Sequence, residues 1–188
     1  ANEGYLLETL DGPALFDCGP TPCLPYLKAG LAERGLDLTD LRHLLLSHIH
    51  LDHAGAAGVL VRQNPWLQVH VSEIGAPHLA DPTRLEASAR RLYGTAFDPL
   101  FGELAPVPEA NIHAVGDRIL GLECLPTPGH AWHHVSYLDM DGTLYAGSAG
   151  NGYVDLVTDG KGAITNSGTV TATSNIYVYA QDGDVTNS

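Results

Sequence analysis

The chain has 188 residues, 44% of them hydrophobic, so it is long enough to bury a core as one domain or as one domain with a small appendage. Its nine lysines and arginines face 22 aspartates and glutamates, which gives a formal net charge of −13. This balance argues against binding to nucleic acid and to anionic membranes, because both require a basic face.

Strand and helix patterns alternate along the chain as far as residue 147. The Asp11-Gly12 turn between two short apolar runs predicts a hairpin at the start. The predicted strands are 5–10, 13–17, 41–47, 67–72, 118–130 and 135–147. The predicted helices are 21–35, 54–63 and 81–94, and the proline-rich stretch 98–110 is predicted to be largely loop. This alternation predicts an α/β fold.

The composition changes near residue 148. Every proline, histidine and cysteine precedes residue 135, whereas residues 151–188 are rich in threonine, serine and asparagine. "GAITNS" (162–167) returns as "GDVTNS" (183–188), and a period near 20 residues is typical of one coil of a β-solenoid. We therefore predict a domain at 1–147 and a β-rich tail at 148–188, and one interpretation gives the tail a foreign origin.

The stretch "LLLSHIHLDHAG" holds three histidines and an aspartate directly after a buried strand. A strand that ends at Ser47 presents His48 and His50 on the same side, where two imidazoles can hold one divalent ion. Asp52 and His53 follow where the chain turns into a helix and point toward a second position beside the first. The HxHxDH order therefore predicts a metal site.

A zinc site that keeps a water molecule for chemistry needs three protein ligands. The third candidate is His130 in "TPGH", where Pro128 and Gly129 form a turn after a strand. HxHxDH followed by TPGH resembles the metallo-β-lactamase superfamily, and "NEGYLLE", "LFDCG" and "TPGHAWHHVSYLD" extend the resemblance over residues 1–147. The resemblance implies an αββα sandwich with the metals at the edges of the sheets, here a partial one comprising its N-terminal half.

The same resemblance assigns roles to individual residues. It implies that His48, His50 and His130 form a first zinc site. It also implies that Asp52 and His53 supply half of a second site.

Residues around the motif receive supporting roles from the resemblance. Asp17 is similar to a structural aspartate of the family, and His134 to a residue that holds its loop by hydrogen bonds. His133 and His134 are interpreted as structural. The remaining histidines have no partners in the sequence pattern and are interpreted as ordinary structural residues: His43, His70, His78 and His113.

The chain departs from the family pattern in its last third. Ser148 stands where the family has an aspartate that bridges two metals, and a neutral hydroxyl is a poorer ligand for a dication. No histidine follows His134, although the family pattern expects one. We therefore expect one or two ions, with zinc favoured and iron or manganese as alternatives. The seam at 147–151 is either natural or a product of cloning.

The motif predicts a hydrolase in which a zinc-bound hydroxide attacks a small ester or phosphoester, either a phosphodiester or a phosphotriester. Asp52 would orient or deprotonate the attacking water. Two alternatives stay open: a metal-binding relic without turnover, and an interaction or adhesin-type fragment in which the tail carries the function.

The expected partners are a small-molecule substrate and further copies of the same chain. A half-sandwich exposes an apolar sheet face and an unpaired edge, so we predict a homodimer or a larger homo-oligomer. No partnership with nucleic acid or membrane is expected. Three cysteines cannot all pair, which favours reduced thiols and, by default, a cytoplasmic location.

Overall fold

A computed structural model describes residues 5–140 and 144–146, together with the backbone of four strands in the tail. The chain divides into two compact units, Ala1–Ala114 and Val115–Ser188. The predicted seam at 147–151, which includes Ser148, lies outside the described residues. Within the described part of the chain, no helix is long and apolar enough to cross a membrane.

The first unit is built on a five-stranded sheet in which spatial order follows chain order. Its strands are β1 (Tyr5–Thr9), β2 (Gly12–Phe16), β3 (His43–Leu45), β4 (Gln68–Val71) and β5 (Ile112–Ala114). The predicted hairpin is confirmed, because β1 and β2 are antiparallel, whereas every later neighbour is parallel. Parallel strands joined through helices confirm the α/β class.

Six helices connect these strands in the described part of the first unit. They are α1 (Leu24–Ala32), α2 (Leu51–Ala54), α3 (Ala57–Gln63), α4 (Ala76–Ala80), α5 (Thr83–Tyr93) and α6 (Phe97–Phe101). The predicted loop at 98–110 is wrong at its start, where α6 forms. Pro99 is tolerated there because it occupies the first turn, in which backbone N–H groups have no partner within the helix.

Small residues let the chain pack closely around α3. A Cβ atom added at Gly58 would lie 1.9 Å from the carbonyl oxygen of Ala105, and one at Gly55 would lie 2.4 Å from that of Leu51. Backbone therefore rests directly on backbone, which a larger side chain at Gly58 would prevent. Leu44 and Val69 are fully buried within the same core.

The second unit contains a four-stranded antiparallel sheet and the strands of the tail. The sheet is formed by β6 (Arg118–Ile119), β7 (Leu122–Pro126), β8 (Val135–Leu138) and β9 (Leu144–Tyr145), which are shorter than the predicted runs. The tail strands are β10 (Val154–Thr158), β11 (Ile164–Asn166), β12 (Ile176–Ala180) and β13 (Val185–Asn187).

The tail strands pair in parallel, β10 with β12 and β11 with β13. Ile164 pairs with Val185 and Asn166 with Asn187, so equivalent positions of the two copies of the sequence repeat lie side by side. The β-rich character predicted for this segment agrees with these pairs.

Candidate metal centre

Asp17 fastens the end of β2 to the end of β3. Its φ of +50° is a left-handed conformation that aspartate and asparagine tolerate better than most residues, and its backbone N–H donates to the carbonyl oxygen of Leu45 at 2.9 Å. The buried carboxylate accepts the backbone N–H and the hydroxyl of Ser47, each at 2.8 Å. The turn that follows β2 is thereby held against Ser47, the residue directly before the HxHxDH motif.

Ser47 fixes the tautomer of His48. The Ser47 hydroxyl donates its single proton to Asp17, so it accepts a hydrogen bond from Nδ1–H of His48 at 2.9 Å. A neutral His48 then has its lone pair on Nε2, which is the arrangement of a histidine metal ligand supported through its other nitrogen. Ser47 was not among the predicted site residues, although a hydroxyl directly before the motif at a buried strand end is a readable signal in the sequence.

His53 is oriented by the same carboxylate. Its Nδ1 donates to Asp17 at 2.8 Å, and its Nε2 lies 3.5 Å from the carboxylate of Asp52. The ring of His48 lies 4.1 Å from that of His53 and 4.7 Å from that of His50, measured between centroids. The structure therefore brings together the four site residues predicted on this loop.

Backbone hydrogen bonds hold α2 in place beneath the loop. The N–H groups of Cys18 and Gly19 donate to the carbonyl oxygen of His53 at 2.8 and 3.0 Å, and Ala56 N–H donates to Gly19 at 2.8 Å. Burial raises the pKa of the Cys18 thiol, which donates to the His53 carbonyl, so this thiol is structural. Cys18, Cys23 and Cys124, which all lie among the described residues, form no disulfide in the structure.

His130 belongs to the second unit and lies in the loop between β7 and β8, where it is exposed. That loop is closed by Thr127, whose N–H donates to the carbonyl oxygen of His134 at 3.0 Å and whose hydroxyl lies 2.7 Å from His134 Nδ1. The loop-holding role expected of His134 is therefore confirmed. The roles of His48, His50, Asp52, His53 and His130 as metal ligands stay predictions.

Three of the other histidines have partners in the structure, although the sequence pattern showed none. His43, His70 and His113 lie together on neighbouring strands of the first sheet. Their contacts follow from strand register, which pairs residues that are distant in the sequence and cannot be read from local spacing.

A family model described as "Metallo-beta-lactamase superfamily" matches residues 4–184. The chain belongs to the metallo-beta-lactamase superfamily. The match extends beyond residue 147, where the resemblance in the sequence was expected to end. Its mixed α/β architecture is that of the family, whose members are generally metal-dependent hydrolases.

Two relatives each match about three quarters of this chain. The uncharacterised protein YobT of Bacillus subtilis (strain 168) is 33% identical over 77% of this chain and 60% of its own length. A hydroxyacylglutathione hydrolase of Rhodopseudomonas palustris (strain BisB5) is 28% identical over 77% of this chain and 46% of its own length. The chain therefore spans 46–60% of the length of these two relatives.

A solved structure of TTHA1623 in a di-iron-bound form superimposes with a TM-score of 0.58 and 26% identity, covering 85% of this chain and 69% of that one. The folds are therefore similar over most of the chain described here. The bound iron is a property of that protein.

Proposed function

We propose that the chain is a hydrolase that depends on a divalent metal and cleaves a small ester or phosphoester. His48, His50 and His130 would hold the ion, each through one ring nitrogen. The observation that carries the proposal is the network of Asp17 and Ser47. It holds His48 and His53 through Nδ1, which suits both for ligation through Nε2.

The donor set favours zinc. Three neutral imidazoles suit zinc and leave one position for water, although iron and manganese also accept imidazole. Asp52 and His53 present an oxygen and a nitrogen 3.5 Å apart, which could contribute to a second ion. The solved structure of TTHA1623 in a di-iron-bound form supports iron as the alternative.

A bound divalent ion would supply Lewis acidity and would lower the pKa of water. Asp52, whose side chain is 38% exposed, would accept a proton from the attacking water. Asp17 cannot take that role, because its carboxylate already accepts hydrogen bonds from Ser47 and His53. The network of buried hydrogen bonds would keep the loop rigid, while the exposed carboxylate of Asp52 accepts the proton.

The substrate is proposed to be small, and an ester of a carboxylic acid is the favoured class. The name of the relative hydroxyacylglutathione hydrolase supports cleavage of an acyl bond. The net charge of −13 would repel a polyanion such as a nucleic acid. A phosphodiester or phosphotriester is the second class to test.

A panel of chromogenic esters, thioesters, phosphodiesters and phosphotriesters tests the proposal, with each substrate assayed before and after chelation. Turnover should be lost on chelation, return with zinc, and fall at least a hundredfold in His48→Ala and Asp52→Asn. His78→Ala, which changes a histidine on α4 outside the candidate metal centre, is the matched control. Turnover that survives both chelator and His48→Ala would refute the metal mechanism, whereas stoichiometric zinc without turnover would favour a relic.

A further inference from the structure

Three histidines form a row across the first sheet, separate from the candidate metal centre. His43, His70 and His113 lie on β3, β4 and β5, which are adjacent parallel strands. His70 pairs with His113 in the strand register, and their rings stack with centroids 5.3 Å apart and planes 29° apart. The ring of His43 lies 5.1 Å from that of His70. We call these three residues the histidine row.

Hydrogen bonds fix which ring nitrogen of His43 and of His70 carries the proton. An ionised Asp11 only accepts, so Nε2–H of His43 donates to its carboxylate at 3.2 Å. Nδ1 of His43 is then an acceptor and receives Nε2–H of His70 at 3.0 Å. Nδ1 of His70 is the last acceptor in the chain of bonds. It is buried, and no donor among the described residues reaches it.

Both inner rings are held in the neutral form. His43 is 4% exposed and His70 is 5% exposed. Burial lowers the pKa of His70 to about 3, with His43 and His113 adding to the effect. Burial also lowers the pKa of His43, where Asp11 opposes the shift and His113 and Arg42 add to it.

An added proton has no suitable place on the two buried rings, His43 and His70. If His70 takes it, Nδ1–H becomes a buried donor without an acceptor. If His43 takes it, His43 must donate from Nδ1 to Nε2 of His70, and the proton of His70 moves to the same Nδ1. Either route leaves a charge and an unsatisfied N–H inside the sheet, and both are costly.

We infer that the histidine row is an acid-sensitive element, in which proton uptake drives the first sheet to open as the pH falls. In the unfolded chain a histidine titrates near a pKa of about 6.5. Above that pH His43 and His70 are neutral in both states and have no effect on stability. Between about 6.5 and about 3 the unfolded state binds more protons, so stability falls as the pH falls. For each such histidine, the unfolding constant rises about tenfold for every unit by which the pH falls.

Urea unfolding of the full chain at pH 5.0 to 7.0, in chelator throughout, tests the inference. The unfolding constant of the unmodified chain should rise at least about tenfold per unit as the pH drops from 6 to 5. His70→Gln keeps an N–H that can donate to His43 but cannot titrate, so its slope should be smaller by about one proton. His78→Gln is the matched control and should keep the original slope. Equal slopes for His70→Gln and the unmodified chain would overturn the inference.

A second measurement uses the unmodified chain and so does not depend on a variant that folds. Ring ¹⁵N shifts of the folded protein, recorded by NMR from pH 7.5 to 5, should show His70 neutral throughout, with Nε2 protonated and Nδ1 bare. A folded His70 that becomes an imidazolium above pH 6 would overturn the inference, because the row would then accept a proton at no cost to the fold.

Discussion

The Asp17→Asn variant tests the network that supports the candidate metal centre. Asparagine has the same shape and tolerates the positive φ of this position, so the backbone should stay in place. The change removes the negative charge and turns one acceptor oxygen into an NH₂ donor. The oxygen that accepts Ser47 N–H can remain, whereas the other oxygen, which accepts from Ser47 and His53, is replaced.

Asp17→Asn changes the hydrogen bonds that fix the protons on His48 and His53. The new NH₂ group of residue 17 donates to the Ser47 hydroxyl, which must then donate its own proton to Nδ1 of His48. That reversal places the remaining proton of His48 on Nε2, the nitrogen proposed to bind metal. Nδ1–H of His53 loses its acceptor at the same time, so one substitution disturbs two proposed ligands.

Asp17→Asn should lower both the free energy of unfolding and the affinity for metal. Hydrogen bonds to a charged group contribute about 1.5–3 kcal/mol each, so losing two with partial rearrangement should reduce the free energy of unfolding by about 2–4 kcal/mol. Changing the partner of a metal-ligating histidine typically costs about 10–100-fold in metal affinity. Because the tautomer of His48 reverses, we expect the upper half of that range.

Urea unfolding in chelator measures the change in the free energy of unfolding. Competition for zinc with a chromophoric chelator measures the change in zinc affinity. Ser47→Ala is the companion variant, because it removes the relay to His48 while leaving Asp17 bonded to His53. It should weaken zinc binding with a smaller loss of stability than Asp17→Asn. If the Asp17→Asn chain keeps its stability within about 0.5 kcal/mol and its zinc affinity within twofold, the proposed proton arrangement is wrong.

Three further outcomes are expected. Gly58→Ala should destabilise the fold by at least about 1–3 kcal/mol in urea unfolding, because its Cβ would meet backbone at 1.9 Å, whereas Gly30→Ala, with nothing within 4 Å, should be neutral or stabilising. A thiol reagent at neutral pH should label Cys23 in the native chain and reach Cys18 and Cys124 only after unfolding, as mass spectrometry of the labelled chain will show. Chelation should lower the melting temperature, with zinc at a hundred times its dissociation constant restoring about 2.7 kcal/mol.

Elements with a strong local signal could be predicted from the sequence. The hairpin follows from the Asp11-Gly12 turn, and α5 from the apolar spacing of "TRLEASARRLY". Two elements without a prediction, α4 and β5, are short, and three residues such as Ile112–Ala114 cannot establish a period. The strand β5 forms because β4 offers it a parallel edge, which is a property of the assembled sheet.

The candidate metal centre likewise has residues that local spacing predicts and supporting residues that it does not. His48, His50, Asp52 and His53 are consecutive enough for their spacing alone to predict a ligand cluster. Their support could not be predicted from spacing, because Asp17 lies 30 residues from Ser47 in the chain. The resemblance implied a supporting role for Asp17, but its partner follows from register, since Phe16 pairs with Leu45 and thereby sets Asp17 beside the end of β3.

His48, His53 and His70 differ in what their Nδ1 atoms contact. At the end of β3, the Nδ1 atoms of His48 and His53 meet a hydroxyl and a carboxylate, so the proton is fixed there and Nε2 is suited to a cation. On the face of the sheet, the row from Asp11 through His43 runs the opposite way and ends at Nδ1 of His70 inside the protein. The parallel pairing of β2, β3 and β4 creates both situations. The buried carboxylate of Asp17 therefore suits the histidines it supports for metal binding. The carboxylate of Asp11 lies at the exposed end of the row instead, so the buried end at His70 is left sensitive to acid.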